Sequence, residues 1–188
     1  MSRIVLVNPA SERLLTLEQA KSHCKCQHDA ENDLFLDWIK AAEAYCQKYS
    51  DRVLLTSTWQ WIGSQFPESG KPIDLGISPV QSISSVIYTD TDGNQVTMAA
   101  EDYQLEPTEY APMLWEGVEA SWPATQDWNV SAVTVELVAG WTNRDLVPWQ
   151  FKQAASLLIG EWYISRDMSR IPDAVHHLLD QVSMDRYV

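Results

Sequence analysis

The stretch KSHCKCQHDAEND, residues 21–33, concentrates side chains that could do chemistry. It holds two of the three cysteines, two of the four histidines and three carboxylates. His23, Cys24, Cys26 and His28 are all zinc-ligand types once deprotonated. Their spacing works against a structural zinc site. Zinc sites usually pair ligands at C-x2-4-C spacing with a second pair well downstream. Here Cys24 and Cys26 are one residue apart, and Cys46 falls inside a helical pattern. The plainer reading is a helix end. His23 and Cys24 close a first helix, Lys25 to His28 make a turn, and one cysteine packs as a small hydrophobe. No metal and no cofactor are expected.

Other candidate chemistry fails on similar grounds. YTDTDGNQ invites a calcium reading, but the loop register puts Tyr88 at position 1 and Ala99 at position 12, where a bidentate glutamate is required. His176 and His177 are adjacent on a helix and diverge by about 100°, so they are not a joint ligand and read as a solvated pair. There is no G-x-S-x-G elbow, and seven scattered glycines form no phosphate-cradling loop. The many carboxylates leave a glycosidase-type pair open. Trp59 and Trp61 share one face of a strand and would suit a sugar platform, which is the carbohydrate-binding or glycoside-processing alternative.

The elements that must position these residues fall into a helical, a strand-rich and a second helical part. TLEQAKSHC opens with Thr16 as N-cap and Gln19 completing a capping box, with Leu17 and Ala20 able to face inward. In DAENDLFLDWIKAAEAYCQKYS, Leu34, Trp38, Ala41, Ala42, Tyr45 and Tyr49 mark one helical face. Asp29, Glu31 and Asp33 crowd its start, where carboxylates suit the helix dipole. From Val53 to Gly140 the period becomes strand-like. Asp92-Gly93 is expected to supply the positive φ angles of a tight hairpin turn. DYQLEP and PMLWE read as short strands. In SAVTVELVAGW, Val133, Val135 and Leu137 alternate with Thr134 and Glu136, so one face should be buried. Pro148 fits the first position of a helix whose Phe151, Ala155, Leu158, Ile159 and Trp162 recur at helical steps. A last helix carries Val175, Leu178, Leu179 and Val182 on one side.

The totals bound the function classes. The chain has 188 residues, 45% of them hydrophobic, enough for a packed core. The formal net charge of -13 argues against a nucleic-acid grip, which needs clustered Lys and Arg. No run approaches the roughly 20 apolar residues of a membrane span. IVLV, residues 4–7, is shorter than a signal-peptide core. Three cysteines are too few for a disulfide scaffold, so a reducing compartment is expected. The nine tryptophans are an unusual count; Trp favours interfaces, but most of the nine are expected to be ordinary core packing.

The ordered set TLEQAK, AAEAYCQKYSDRVLLTSTWQ, PVQSISSVIYTDTDGN, VTVELVAGW and VPWQFKQAASLLIGEWYISRD resembles the head–tail connector (head-completion or adaptor) proteins of tailed bacteriophages. The closer likeness is to the subfamily with a strand-rich insert between the second and third helices, and it runs from about Thr16 to about Val182. The resemblance implies an α+β fold, with a helical core formed by residues 1–52 and 141–188 and a mostly antiparallel β insert at 53–140. It implies no reaction, and the alternative beside the carbohydrate reading is another phage tail accessory protein. It implies a ring of about a dozen subunits under the portal, extending the DNA channel and supporting the tail. The partners would be further copies of the chain, a portal protein and a downstream connector or tail protein. DNA would pass without specific binding, and no membrane is involved. The location would be the virion, with host cytoplasm before assembly. Arg186, Tyr187 and Val188, with Trp162 and Arg166, become candidate portal or subunit contacts, and Asp29, Glu31 and Asp33 candidate channel-facing residues. Two departures stand out. CKC replaces the aliphatic and basic residues usual after the first helix. Asp51 stands before Arg52 where a glycine is common, and Asp tolerates left-handed geometry better than most residues.

Overall fold

The computed structural model describes residues 2–108 and 111–184. The fold is α+β, and the chain divides into two compact units, each made of two separate stretches. One comprises Met1–Ala10 and Thr56–Gly140, the other Ser11–Leu55 and Trp141–Val188.

The first unit is antiparallel β. Its strands are β1 (Arg3–Asn8), β2 (Ser57–Gly63), β3 (Ile73–Asp74), β4 (Val80–Thr89), β5 (Gln95–Thr97), β6 (Tyr103–Glu106), β7 (Met113–Glu116) and β8 (Val133–Ala139). Five of them form a sheet in the order β1-β2-β8-β4-β5, and three a second sheet in the order β3-β7-β6. β8 is central because its alternation is the cleanest in the chain: Val133, Val135, Leu137 and Ala139 are buried and the residues between them are not. It pairs with β2 through an unbroken register from Ser57↔Ala139 to Gly63↔Val133. On its other side, β4 sets Val86 opposite Val135 and Ile83 opposite Leu137.

The first ten residues, grouped by sequence with the helical part, lie in this β unit. Ile4 stands opposite Trp61 and Leu6 opposite Trp59. The apolar run that is too short for a signal core is the right length for an edge strand. The β4–β5 turn also differs from expectation in one respect. Gly93 takes φ +87° but Asp92 does not take a positive φ. The Asp90 carboxylate organises the loop instead, accepting from the backbone N–H groups of Asp92 (3.0 Å) and Asn94 (2.8 Å).

The second unit is helical, with α1 (Leu17–His23), α2 (Asn32–Ser50), α3 (Trp149–Ser165) and α4 (Asp173–Asp180). The Thr16–Gln19 capping box is present in both directions. In α3, Phe151, Ala155, Leu158, Ile159 and Trp162 are all buried at the spacing the sequence shows, while Pro148 stands at the N-cap, one position before the first helical position expected for it. α2 is turned by about one residue from the expected face. Phe35, Trp38, Ile39, Ala42 and Cys46 are buried, while Leu34 and Tyr49 are exposed. The reason is aromatic packing: the Phe35 ring meets Trp38 edge-on at 5.4 Å and Tyr163 at 5.4 Å. Tyr45 and Tyr49 stack on His176 instead, and the Tyr45 hydroxyl lies 2.9 Å from His176 Nε2. His176 is therefore a packed ring and only His177 is exposed.

α2 ends where the sequence indicates. Asp51 is its C-cap in left-handed geometry, φ 55° and ψ 27°. The chain then turns Arg52 inward, where Nε donates to the Val182 carbonyl at 3.1 Å. Glu43 is a buried acid facing the segment before α1. It accepts from the Leu14 backbone N–H and pairs with Arg13 at 3.1 Å. Burial pushes its carboxyl above the ordinary value, and the bonds to Leu14 and Arg13 offset part of that.

Two outcomes follow for stability. Asp51→Val puts a β-branched residue into the left-handed region and is expected to cost about 1–2 kcal/mol more than Asp51→Asn in urea unfolding. Glu43 binds its proton more readily folded than unfolded, so its contribution declines as pH rises from the ordinary 4.5 through the raised folded value. Unfolding of wild type and Glu43→Gln across that window should show wild type losing stability relative to the variant as pH increases.

Candidate functional site

The charged joint between α1 and α2 is built from backbone geometry first. α1 closes in a Schellman arrangement: the Cys26 N–H donates to the Lys21 carbonyl at 3.0 Å and the Lys25 N–H to that of Ser22 at 3.1 Å. Lys25 takes the left-handed position at φ 55°. This turn points Cys26 into the interior, with Cys24 half-buried and Lys25 exposed. It also brings Lys21 over the start of α2, where Nζ donates to Asp29 at 2.7 Å and to Asn32 at 2.8 Å. The bonds from Lys21 and then Asn32 hold the Asp29 carboxyl below its usual range.

The end of α3 completes the joint. Arg166 caps that helix at φ 56°. Its guanidinium reaches Glu31 Oε1 at 2.8 Å and lies 5.5 Å from the Trp38 ring centre and 5.1 Å from that of Tyr163. A hydrogen bond with Cys26, followed by desolvation, raises the Tyr163 phenol above its ordinary value. On the other side of Glu31, Oε2 lies 3.9 Å from His28 Nε2, which is 3.6 Å from Cys26 Sγ.

The residues singled out by sequence therefore separate. Asp29 is tied to Lys21, Glu31 is tied to Arg166, and Asp33 is exposed in the first turn of α2. Trp162 is buried inside the helical unit, with Nε1 donating to the Arg170 carbonyl at 3.2 Å. Arg166 is exposed and engaged with the joint. Arg186, Tyr187 and Val188 lie outside the described residues. Trp59 and Trp61 do share a face, but it is the face that carries Leu137 and Val135, and Trp61 is buried there. That removes the open two-ring platform a sugar would need. Cys46 is buried on α2, its thiol pushed up to about 12 by desolvation and then by Glu43, so it is an inert core residue.

Two groupings escaped the sequence reading. Arg166 meets Glu31 across a separation that no local pattern encodes. Cys26, His28 and Glu31 bring one potential ligand atom each to within 4.8 Å of one another. The C-x-H-x2-E spacing could have shown this trio, but attention to cysteine pairs hides it.

No protein-family model and no curated protein sequence matches the chain. Solved structures do. The chain is similar to one from the virion of a native gene transfer agent (GTA) particle, with TM-score 0.81, 20% identity, and coverage of 98% of this chain and 97% of that one. It is similar to another from the neck of an empty GTA particle computed with C6 symmetry, with TM-score 0.80, 19% identity, and coverage of 99% and 97%. A third, from the neck of a native GTA particle computed with C12 symmetry, gives TM-score 0.77, 21% identity, and coverage of 99% and 97%. The shared property is the fold, along essentially the full length of both partners.

Proposed function

We propose that this chain is a structural head–tail connector of a tailed bacteriophage or phage-like particle. It forms a ring under the portal, extends the DNA channel and supports tail attachment. The observation that carries this reading is the likeness to neck chains, which spans both units and not one shared motif. The ordered sequence pattern supports the same reading independently. The C12 symmetry applied to one of those necks is compatible with about a dozen subunits. No reaction is assigned to the chain. Its place is the virion, and its partners are further copies of itself, a portal protein and a downstream connector or tail protein.

The surface supports assembly. β1 is an edge strand with Val5, Leu6 and Val7 exposed, and such an edge offers both unpaired backbone groups and apolar area. Trp128 is fully exposed and Trp149 largely so. Such rings are typical anchors at protein interfaces. Among the described residues no helix is long and apolar enough to cross a membrane. The acidic balance suits a conduit through which DNA slides without being held. Asp29 and Asp33, both exposed, are the carboxylates of the joint able to face such a channel.

Light scattering of the purified chain, alone and mixed with its portal protein, tests this. A ring-sized species or a stable portal complex is expected, and a strict monomer under both conditions would count against the connector. DNA binding by the same material, followed by fluorescence anisotropy, should be weak or undetectable at moderate salt. Tight binding would remove the sliding-conduit reading.

A further inference from the structure

The geometry points to a metal site at the α1–α2 joint: Cys26 Sγ, His28 Nε2 and Glu31 Oε2 form a three-ligand centre for zinc. The inference is independent of the connector reading. It rests on donor chemistry and spacing. A zinc ion with bonds of about 2.3 Å to sulfur and about 2.0 Å to nitrogen and oxygen, at tetrahedral angles, sets its S···N pair about 3.6 Å apart and its N···O pair about 3.3 Å apart. Cys26 Sγ and His28 Nε2 are 3.6 Å apart, and His28 Nε2 and Glu31 Oε2 are 3.9 Å apart. One potential ligand atom from each of the three residues lies within 4.8 Å of the others. A small rotation of the Glu31 side chain would complete a tripod, leaving the fourth position to water.

The backbone pre-positions the set. The Schellman turn after α1 drives Cys26 inward, and the start of α2 carries Glu31. His28 is on the short segment between them and is partly exposed, which gives an ion a way in. A thiolate, an imidazole and a carboxylate together match the mixed soft and hard preference of Zn2+ better than that of Mg2+ or Ca2+, which want oxygen alone. The two Glu31 oxygens have separate roles: Oε1 takes Arg166 at 2.8 Å, while Oε2 faces His28. Arg166, as a nearby positive charge, weakens the site.

Cobalt titration of the reduced full chain tests the assignment, because tetrahedral cobalt reports thiolate ligation by a charge-transfer band. One Co2+ per chain is expected, displaced by zinc. Cys26→Ser should abolish the band, and Cys24→Ser should leave it intact. His28→Asn, at a partly exposed position, should keep the far-ultraviolet circular dichroism of the fold and weaken zinc by at least about tenfold in competition with a chromophoric chelator. Arg166→Gln should tighten zinc binding. The assignment is overturned by a folded, reduced wild type that gives no thiolate–cobalt band. It is equally overturned by a band that survives Cys26→Ser or disappears in Cys24→Ser, or by unchanged zinc affinity in both His28→Asn and Arg166→Gln. If Cys26→Ser does not fold, the His28 and Arg166 variants decide the matter alone.

Discussion

Each unit is assembled from two stretches of chain separated by the other unit, and this constraint governs the rest of the structure. The β unit takes residues 1–10 and 56–140, the helical unit 11–55 and 141–188. Closing such long intervals costs entropy, but the cost grows only logarithmically, by about 0.6 kcal/mol per doubling of length. A few well-made contacts can therefore hold each closure. In the β unit the contact that joins the two stretches is the β1–β2 register, which sets Ile4 opposite Trp61 and Leu6 opposite Trp59. In the helical unit the exit and return of the chain lie side by side. Leu55 bridges Trp141, and the Trp141 N–H donates to the Leu54 carbonyl. An excursion that leaves and re-enters at neighbouring backbone positions imposes little on the packing of the helices.

The helical unit uses buried polar groups where apolar packing cannot specify direction. Arg52 donates to Val182 and lies 5.8 Å from the Trp141 ring centre, so one side chain joins the end of α2, the segment after α4 and the residue that opens the second helical stretch. Glu43 does the same for the segment before α1 by accepting from Leu14 and Arg13. Buried groups of this kind are costly unless every bond is made. Among the described residues no buried side-chain nitrogen or oxygen lacks a partner. Their value is in selecting one arrangement of helices over others with similar apolar burial, since α3 alone is apolar over much of its surface and could pack in several ways.

What the sequence made legible was local. The capping box at Thr16, the alternation in β8 and the helical spacing in α3 each follow from a few neighbouring residues, and each is found in the structure. Asp51 is the sharpest case. A residue standing where glycine is common adopts the left-handed conformation that glycine would supply. The failures are tertiary. The face of α2 is shifted because Phe35 packs on Tyr163, more than a hundred residues away. IVLV became an edge strand because β2 offers a register for it, which no property of four residues reveals. His176 looked like half of a solvated pair and is a stacked ring, because α4 brings it against Tyr45 and Tyr49.

The joint at residues 21–33 shows why type and spacing underdetermine a site. Three carboxylates in five residues look like one acidic cluster, and a chain with a net charge of -13 has carboxylates to spare. The fold assigns them three different environments. Lys21, in the last turn of α1, takes Asp29, and Arg166, at the end of α3, takes one oxygen of Glu31. Asp29 and Asp33 are both exposed, and Glu31 is half-buried. The Schellman turn at the end of α1 makes this division, because it fixes which side chains of the intervening segment point inward. Cysteine spacing argued against a Cys24–Cys26 pair, and the structure separates their surroundings: with Lys25 left-handed between them, Cys24 is half-buried while Cys26 is buried near His28 and Glu31. The chemistry of the joint is therefore set by a backbone conformation at one lysine, and not by the density of ligand-type residues around it.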